Sequence, residues 1–286
     1  MMRVGFIGAG RVAAALAEAV HRAGFAVTAI FSRNRQKAEA VAARAPGAAV
    51  AGSAQSAADA CDLIFLTVTD DAIETVCTET TWRSGQSVVH CSGATELDAL
   101  RHARNAGALV GAFHPLQMFA NPAVAIETLP GCTVTIDAES PLADTLEDVA
   151  RRIGCRPVRL PPGRRALYHA SAYYVGPFLV ALMQEAAQIW RAFGASERDA
   201  LLALVPLLEG TVAAVKDSGL AEGMGGCVAR GDVGTVVRHL AALEAFSPEM
   251  ASLYRQLALR TIPLGVARGT LSARAADEIR AVLEQP

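Results

Sequence analysis

The segment Met2-Arg3-Val4-Gly5-Phe6-Ile7-Gly8-Ala9-Gly10-Arg11-Val12-Ala13 constrains the fold more than any other. An apolar strand runs into glycines and then, with almost no loop, into an amphipathic helical pattern from Ala13 to Ala23. That order matches the phosphate cradle of a dinucleotide-binding βαβ unit. Gly8 permits the tight turn, Gly10 lets backbone approach a pyrophosphate, and Ala13 keeps helix and strand closely packed. Gly8, Ala9, Gly10, Arg11 and Val12 are therefore the candidate phosphate contacts, because a helix N-terminus offers unpaired N–H groups to an anion. Glycine-rich turns also occur in alanine-rich chains for backbone reasons alone, and the strand before and helix after this one favour the nicotinamide or flavin reading.

The second strand of the unit, Ala26 to Phe31, ends in Ser32-Arg33-Asn34-Arg35. A chain selecting NAD would place Asp or Glu there, on the ribose 2′-hydroxyl. No carboxylate stands at that point. Ser32 can hydrogen-bond a 2′-phosphate, and the guanidinium of Arg33 or Arg35 can pair with it, so NADP(H) is the expected form. The competing role for the two arginines is to coat the start of the next helix.

At 286 residues the chain exceeds one ordinary core, and 52% hydrophobic residues suffice for a large core with a smaller one beside it. A formal charge of −2, with basic residues scattered among acids, argues against nucleic acid as a partner. Six cysteines stand far apart with no CxxC spacing, which argues against a disulfide framework and a metal site and suits a reduced cytoplasm. The first strand starts at the N-terminus, leaving no room for a signal peptide, and no run of about 20 uninterrupted apolar residues suggests a membrane span.

Apolar runs alternate with helical patterns as far as Pro162, which predicts an α/β domain, a doubly wound and mostly parallel sheet, over residues 1–162. Its strands are expected at Arg3 to Ile7, Ala26 to Phe31, near Ala48, Leu63 to Val68, Ser87 to Cys91 and Leu109 to Phe113, extended by Cys132 to Ile136 and Arg156 to Leu160. After Pro161-Pro162-Gly163 the pattern is helical throughout, beginning with Ala166 to Phe193, which predicts a smaller all-α domain over 163–286. Ligands of such sheets lie beyond the carboxyl ends of the strands. Thr67, Val68 and Thr69 are thus expected beside the cofactor, Ser92 offers a hydroxyl in a turn of small residues, and His114, held extended by Pro115, is placed at the sheet edge.

Leu66-Thr67-Val68-Thr69-Asp70-Asp71-Ala72-Ile73, His90-Cys91-Ser92-Gly93, Phe113-His114-Pro115-Leu116, Tyr168-His169-Ala170-Ser171-Ala172 and Val228-Ala229-Arg230-Gly231-Asp232 carry a resemblance. Together they resemble a two-domain family that joins a Rossmann-like NADP oxidoreductase half to a helical C-terminal domain of unknown function. The family is related to pyrroline-5-carboxylate reductase, ketopantoate reductase and the β-hydroxyacid dehydrogenases. The resemblance implies an NADPH-dependent reductase of a small carbonyl compound, a 2-oxo acid such as ketopantoate, with an imine as the alternative substrate. It also implies a homodimer formed through the helical domain. In the β-hydroxyacid dehydrogenases a lysine near the start of the helical domain donates the proton; that segment has no lysine here, and His169 can replace it or instead hydrogen-bond at the domain interface, with Tyr173 one turn on beside the substrate. Pro177 stands where the family usually has Asn, and Gly225-Gly226-Cys227 where it has Thr-Gly-Pro. Arg230 can clamp a substrate carboxylate or, in a structural role, pair with Asp232 or a neighbouring domain, and Asp232 is placed to cap the next helix. The missing lysine and Pro177 also admit a different reading, a non-catalytic NADP sensor or assembly protein.

Overall fold

A computed structural model describes residues 2–285. The chain alternates in the order β1 (Arg3–Ile7), α1 (Arg11–Arg22), β2 (Ala26–Phe31), α2 (Arg35–Ala42), β3 (Ala49–Val50), α3 (Ala54–Ala60), β4 (Leu63–Leu66), α4 (Asp70–Glu79) and β5 (Ser87–His90). After a single 3-10 turn at Leu97–Leu100 come α5 (Arg101–Asn105), β6 (Leu109–Pro115), α6 (Pro122–Thr128), β7 (Thr133–Ala138), α7 (Leu142–Arg152) and β8 (Arg156–Arg159). All eight strands form one sheet in the order β3-β2-β1-β4-β5-β6-β7-β8. Every neighbouring pair is parallel except β6 with β7.

The central strands read as unbroken apolar runs because both their faces are covered. All four residues of β4, Leu63-Ile64-Phe65-Leu66, are buried. One covered face centres on Phe6, Phe65 and Phe113, the first two rings stacked with centroids 5.3 Å apart, and receives the alanine-rich side of α1, Ala13, Leu16, Ala17 and Val20. The other holds Ile7, Ile64, Leu66, Val88 and Trp82. Small side chains on α1 let the helix axis come close to the sheet, which brings its first turn over the glycines.

The strand ends differ from expectation where they touch the site. Strand β4 stops at Leu66, so Thr67, Val68 and Thr69 belong to the loop and to the N-cap of α4. Strand β6 runs on through His114 to Pro115, because the returning β7 pairs His114 with Thr135 in antiparallel register. His114 is therefore a strand residue rather than a loop residue.

The remaining helices are α8 (Arg165–Val175), α9 (Pro177–Ala192), α10 (Glu197–Gly223), α11 (Val233–Phe246), α12 (Pro248–Ala267) and α13 (Ala273–Leu283). Two compact units result, Met1–Phe178 and Leu179–Pro286, so α8 groups with the sheet and the division falls beyond the Pro161-Pro162-Gly163 turn. The expected single helix Ala166 to Phe193 is two helices. Gly176 leaves helical geometry (φ −108°, ψ −98°) and Pro177, which has no N–H to donate, starts the next one. His169 and Tyr173 share a face of α8, whereas Pro177 does not continue it. By length and a mean hydropathy of 1.2 the stretch Arg165–Ala192 has the composition of a membrane span, but this break interrupts it. In the second unit, α11, α12 and α13 enclose a small core around Val236, Leu240, Ile262 and Ile279. Helix α10 is interrupted by Gly219, at φ 84°.

Candidate functional site

The glycine turn is held from below by β4. Gly8 has φ 111°, and a Cβ there would lie 2.5 Å from the Thr67 carbonyl carbon, so only glycine fits. The Thr67 hydroxyl donates to the Gly8 carbonyl at 2.9 Å, and Thr67 is buried. Its side chain fixes the turn, and Thr67 lines the cavities on either side of it. Gly10 is the N-cap of α1 and has no side-chain cap, and a Cβ there would find only the Thr67 carbonyl oxygen at 3.9 Å. The open space above Gly10 and the uncapped N–H groups of the first turn of α1 make a cradle for an anion.

Two cavities meet at this turn. One, of about 710 Å³, is lined by Gly8, Ala9 and Gly10, by Ser32, Arg33 and Lys37, and by Val68 and Thr69. The other, of about 450 Å³, is lined by Gly10, Arg11, Val12, Val68, Thr69 and the segment Met118 to Ala120 that follows β6. No carboxylate follows β2. Ser32 accepts the N–H of Asn34 at 3.2 Å, and Asn34 caps α2 by accepting from the Lys37 N–H at 3.1 Å, which turns Arg33 and Lys37 toward the cavity. Arg35 departs from expectation. It sits on the outer face of α2, paired with Glu39 at 2.8 Å one turn along, as an i, i+4 pair dictates. Lys37, which was not expected there, lines the cavity where Arg35 was expected; its signal is that it is one of the chain's two lysines and lies in the first turn after the second strand.

A second cluster gathers at the carboxyl ends of β5 and β6, against α8. His114 Nδ1 and the Tyr168 hydroxyl are 2.9 Å apart. His169 stands edge-on to His114, ring centroids 5.5 Å apart, and Tyr173 edge-on to His169 at 5.8 Å. Both imidazoles press on Gly93, where a Cβ would lie 2.3 Å from His169 Nδ1 and 2.9 Å from His114 Nε2. His169 Nδ1 is buried without a hydrogen-bond partner. Burial first, and then the nearby His169 and Arg165, push the His114 pKa down to about 4, so the ring is neutral near pH 7. Burial likewise raises Tyr168, which keeps its proton.

Ser92 is placed at the heart of this cluster, with its hydroxyl committed to the turn. It accepts the N–H groups of Ala94 at 3.2 Å and Thr95 at 3.0 Å. The residue that builds the cluster carries no mark in the sequence. Arg165, the first residue of α8, is fully buried. Its guanidinium donates to the carbonyls of Ser92 and of Thr95 (the latter at 2.8 Å), and its backbone N–H donates to Glu96 at 3.2 Å. Arg165 thus fastens the β5 turn to the helix that carries Tyr168, His169 and Tyr173. His90, fully buried on β5 with neither ring nitrogen partnered, has its pKa pushed down to about 3, mainly by burial. A chain rich in surface arginine gave no pattern that singled out Arg165.

In the second unit Arg230 is exposed and makes no ion pair among the described residues. Asp232 caps α11 as expected, accepting the Thr235 N–H at 3.0 Å. His239 is exposed and meets the Tyr254 hydroxyl at 3.1 Å.

The fold is shared with several solved proteins. One is a protein from Thermotoga maritima, 20% identical, with TM-score 0.76 over 93% of this chain and 99% of that one. A reductive aminase from Aspergillus terreus, solved with NADPH and ethyl-5-oxohexanoate, is 18% identical, with TM-score 0.63 over 99% and 93%. The pyrroline carboxylate reductase of Plasmodium falciparum, solved with NADP bound, is 13% identical, with TM-score 0.63 over 99% and 98%. No curated protein matches the sequence. Two domain families match it, a Rossmann-like domain over residues 1–115 and a domain of unknown function, DUF2520, over residues 132–261. The chain therefore joins a Rossmann-like domain to a DUF2520 domain.

Proposed function

We propose that the chain is an NADPH-dependent reductase of a small carbonyl compound, a 2-oxo acid such as ketopantoate being the first candidate. One observation carries this reading: a single cavity holds the glycine cradle at one end and Ser32, Arg33 and Lys37 at the other, with no carboxylate after β2 to repel a 2′-phosphate. NADPH held there would supply a hydride. The chain's own part is to position the acceptor and to hand over a proton. Tyr168, kept protonated by burial, hydrogen-bonds Nδ1 of the neutral His114 and holds its ring in place. His169 is the proton donor, its Nδ1 engaged by no protein group, and Tyr173 borders the acceptor.

Imine reduction is the second reading, favoured by the reductive aminase and the pyrroline carboxylate reductase among the similar structures. An iminium carbon takes hydride without a proton arriving at nitrogen in the same step, which suits a site where His90 and His114 resist protonation. Exposed apolar side chains on α9 and α10, Val180, Leu202 and Leu207 among them, support a homodimer formed through the helical unit. Unpaired thiols support a reducing cytoplasm as its compartment.

The test follows NADPH absorbance with a panel of 2-oxo acids and cyclic imines side by side, after titration with NADPH and NADH. Tighter binding of NADPH and its consumption with one class is the expected result. Binding without consumption by either class would leave a cofactor sensor, and no preference for NADPH would remove the role of Ser32, Arg33 and Lys37.

A further inference from the structure

Five of the six cysteines lie in the sheet unit, and two of those five are in contact with each other. Cys132, immediately before β7, and Cys155, immediately before β8, bring their sulfurs to 3.5 Å. The parallel register pairs Thr133 with Arg156, and the Arg156 N–H donates to the Cys132 carbonyl at 2.9 Å, so the two cysteines stand side by side at the start of neighbouring strands. Neighbouring strands run about 4.8 Å apart, inside the roughly 4.4–6.8 Å Cα separation that a disulfide spans. Closure needs the sulfurs to approach from 3.5 Å to about 2 Å, a movement within reach of side-chain rotation.

The two thiols are also unlike each other. Cys132 is partly exposed, while Cys155 is buried at 5% exposure. The contact between them lowers the pKa of Cys132 and raises that of Cys155, so the accessible sulfur is the more readily ionised. Cys61 and Cys77 are buried with their pKa raised, mainly by desolvation, and Cys91 is pushed up to about 12 by the same cause. None of these three has a sulfur neighbour among the described residues.

We propose that Cys132 and Cys155 form a redox-active dithiol that closes to a disulfide in response to hydrogen peroxide or a small hydroperoxide. The Cys132 thiolate attacks the peroxide oxygen, the O–O bond breaks, and Cys132 becomes a sulfenic acid as hydroxide or alkoxide leaves and is protonated. Cys155 Sγ then attacks the sulfenic sulfur; the S–O bond breaks, the Cys155 proton goes to the departing hydroxide, and water leaves. Two thiols lose two electrons and one peroxide gains them. The bond ties down Cys132 at the end of the segment that begins at Leu116, the segment whose Met118, Phe119 and Ala120 line the smaller cavity beside Gly10. Oxidation therefore constrains one wall of the ligand site.

The experiment treats the full-length protein with a small excess of hydrogen peroxide, blocks free thiols under denaturing conditions, and maps the peptides by mass spectrometry. A Cys132–Cys155 linked peptide, loss of two of the six blockable thiols and recovery of both with dithiothreitol are expected. Cys155→Ser should stop at a Cys132 sulfenic acid trapped by dimedone, and Cys132→Ser should form no linked peptide. Retention of all six thiols, direct passage of Cys132 to sulfinic acid with Cys155 present, or linkage through any other cysteine would overturn the proposal. Both variants are read at the thiols, so the result is independent of whether the chain reduces a substrate.

Discussion

Gly93 is confined by two imidazoles rather than by its backbone, since a methyl group there would overlap His169 and His114 together. Gly93→Ala should push both rings outward by about an ångström, and a misplacement of that size costs about 10²-fold in rate. NADPH affinity, set at the glycine turn, should stay within about threefold. His169→Ala should also lower turnover by about 10²-fold or more while sparing cofactor affinity, as removal of a general acid does. Steady-state kinetics with a cofactor titration separates these from a folding defect. The buried histidines make a further prediction about pH. Folded His90 and His114 have pKa values depressed to about 3 and about 4, below the usual value near 6.5, so the unfolded chain takes up protons first as pH falls. Stability should be full above about pH 6.5 and fall toward pH 4, each histidine contributing up to about 1.4 kcal/mol per pH unit. Urea midpoints at pH 7, 6 and 5 measure the slope, and His90→Asn should make it shallower by one histidine's share.

Among the elements, α8 depends on one side chain for its place against the sheet. Arg165→Met would leave the carbonyls of Ser92 and Thr95 buried without their donor, at about 1–3 kcal/mol for each. Denaturation should show a loss of about 2–5 kcal/mol, and Arg165→Lys should recover little of it, because an ammonium cannot span both carbonyls as a planar fork does. The first two strands and the helix between them were legible in the sequence: β1 and β2 run from Arg3 to Ile7 and from Ala26 to Phe31 as periodicity predicts, because local pattern and burial agree there. Legibility failed where tertiary partners decide. Strand β6 continues through His114 only because β7 returns antiparallel beside it, and a returning strand leaves no local mark on the residues it extends. The break at Gly176-Pro177 was visible as residues, but an unbroken apolar periodicity on either side masked it. The phosphate cradle was readable because its chemistry sits in twelve consecutive residues; the His114, Tyr168 and His169 cluster is joined through a buried arginine, and burial of a charged residue cannot be read from its neighbours in sequence.

For the molecule as a whole, the two units differ in how much apolar surface they cover. The sheet unit encloses two cores and leaves Leu167, Tyr174 and Val175 of α8 exposed. The helical unit encloses only the α11 to α13 core and leaves large side chains in water along α9 and α10, Val180 at 63%, Leu202 at 66% and Leu207 at 69% exposed. Monomeric proteins seldom expose contiguous apolar area on that scale. A twofold pairing would cover such a face on both copies at once, because the same patch then serves each partner. Sedimentation equilibrium should therefore give twice the 29.8 kDa chain mass. Two charges on the face, Leu202→Asp with Leu207→Asp, should shift the protein toward monomer by at least tenfold in dissociation constant. Both positions are exposed within the chain, so the thiol chemistry of Cys132 and the glycine turn should be unaffected in the same variant. A monomer in the parent protein at micromolar concentration would remove the dimer. Loss of NADPH binding together with loss of pairing would show that the second copy supports the cofactor site.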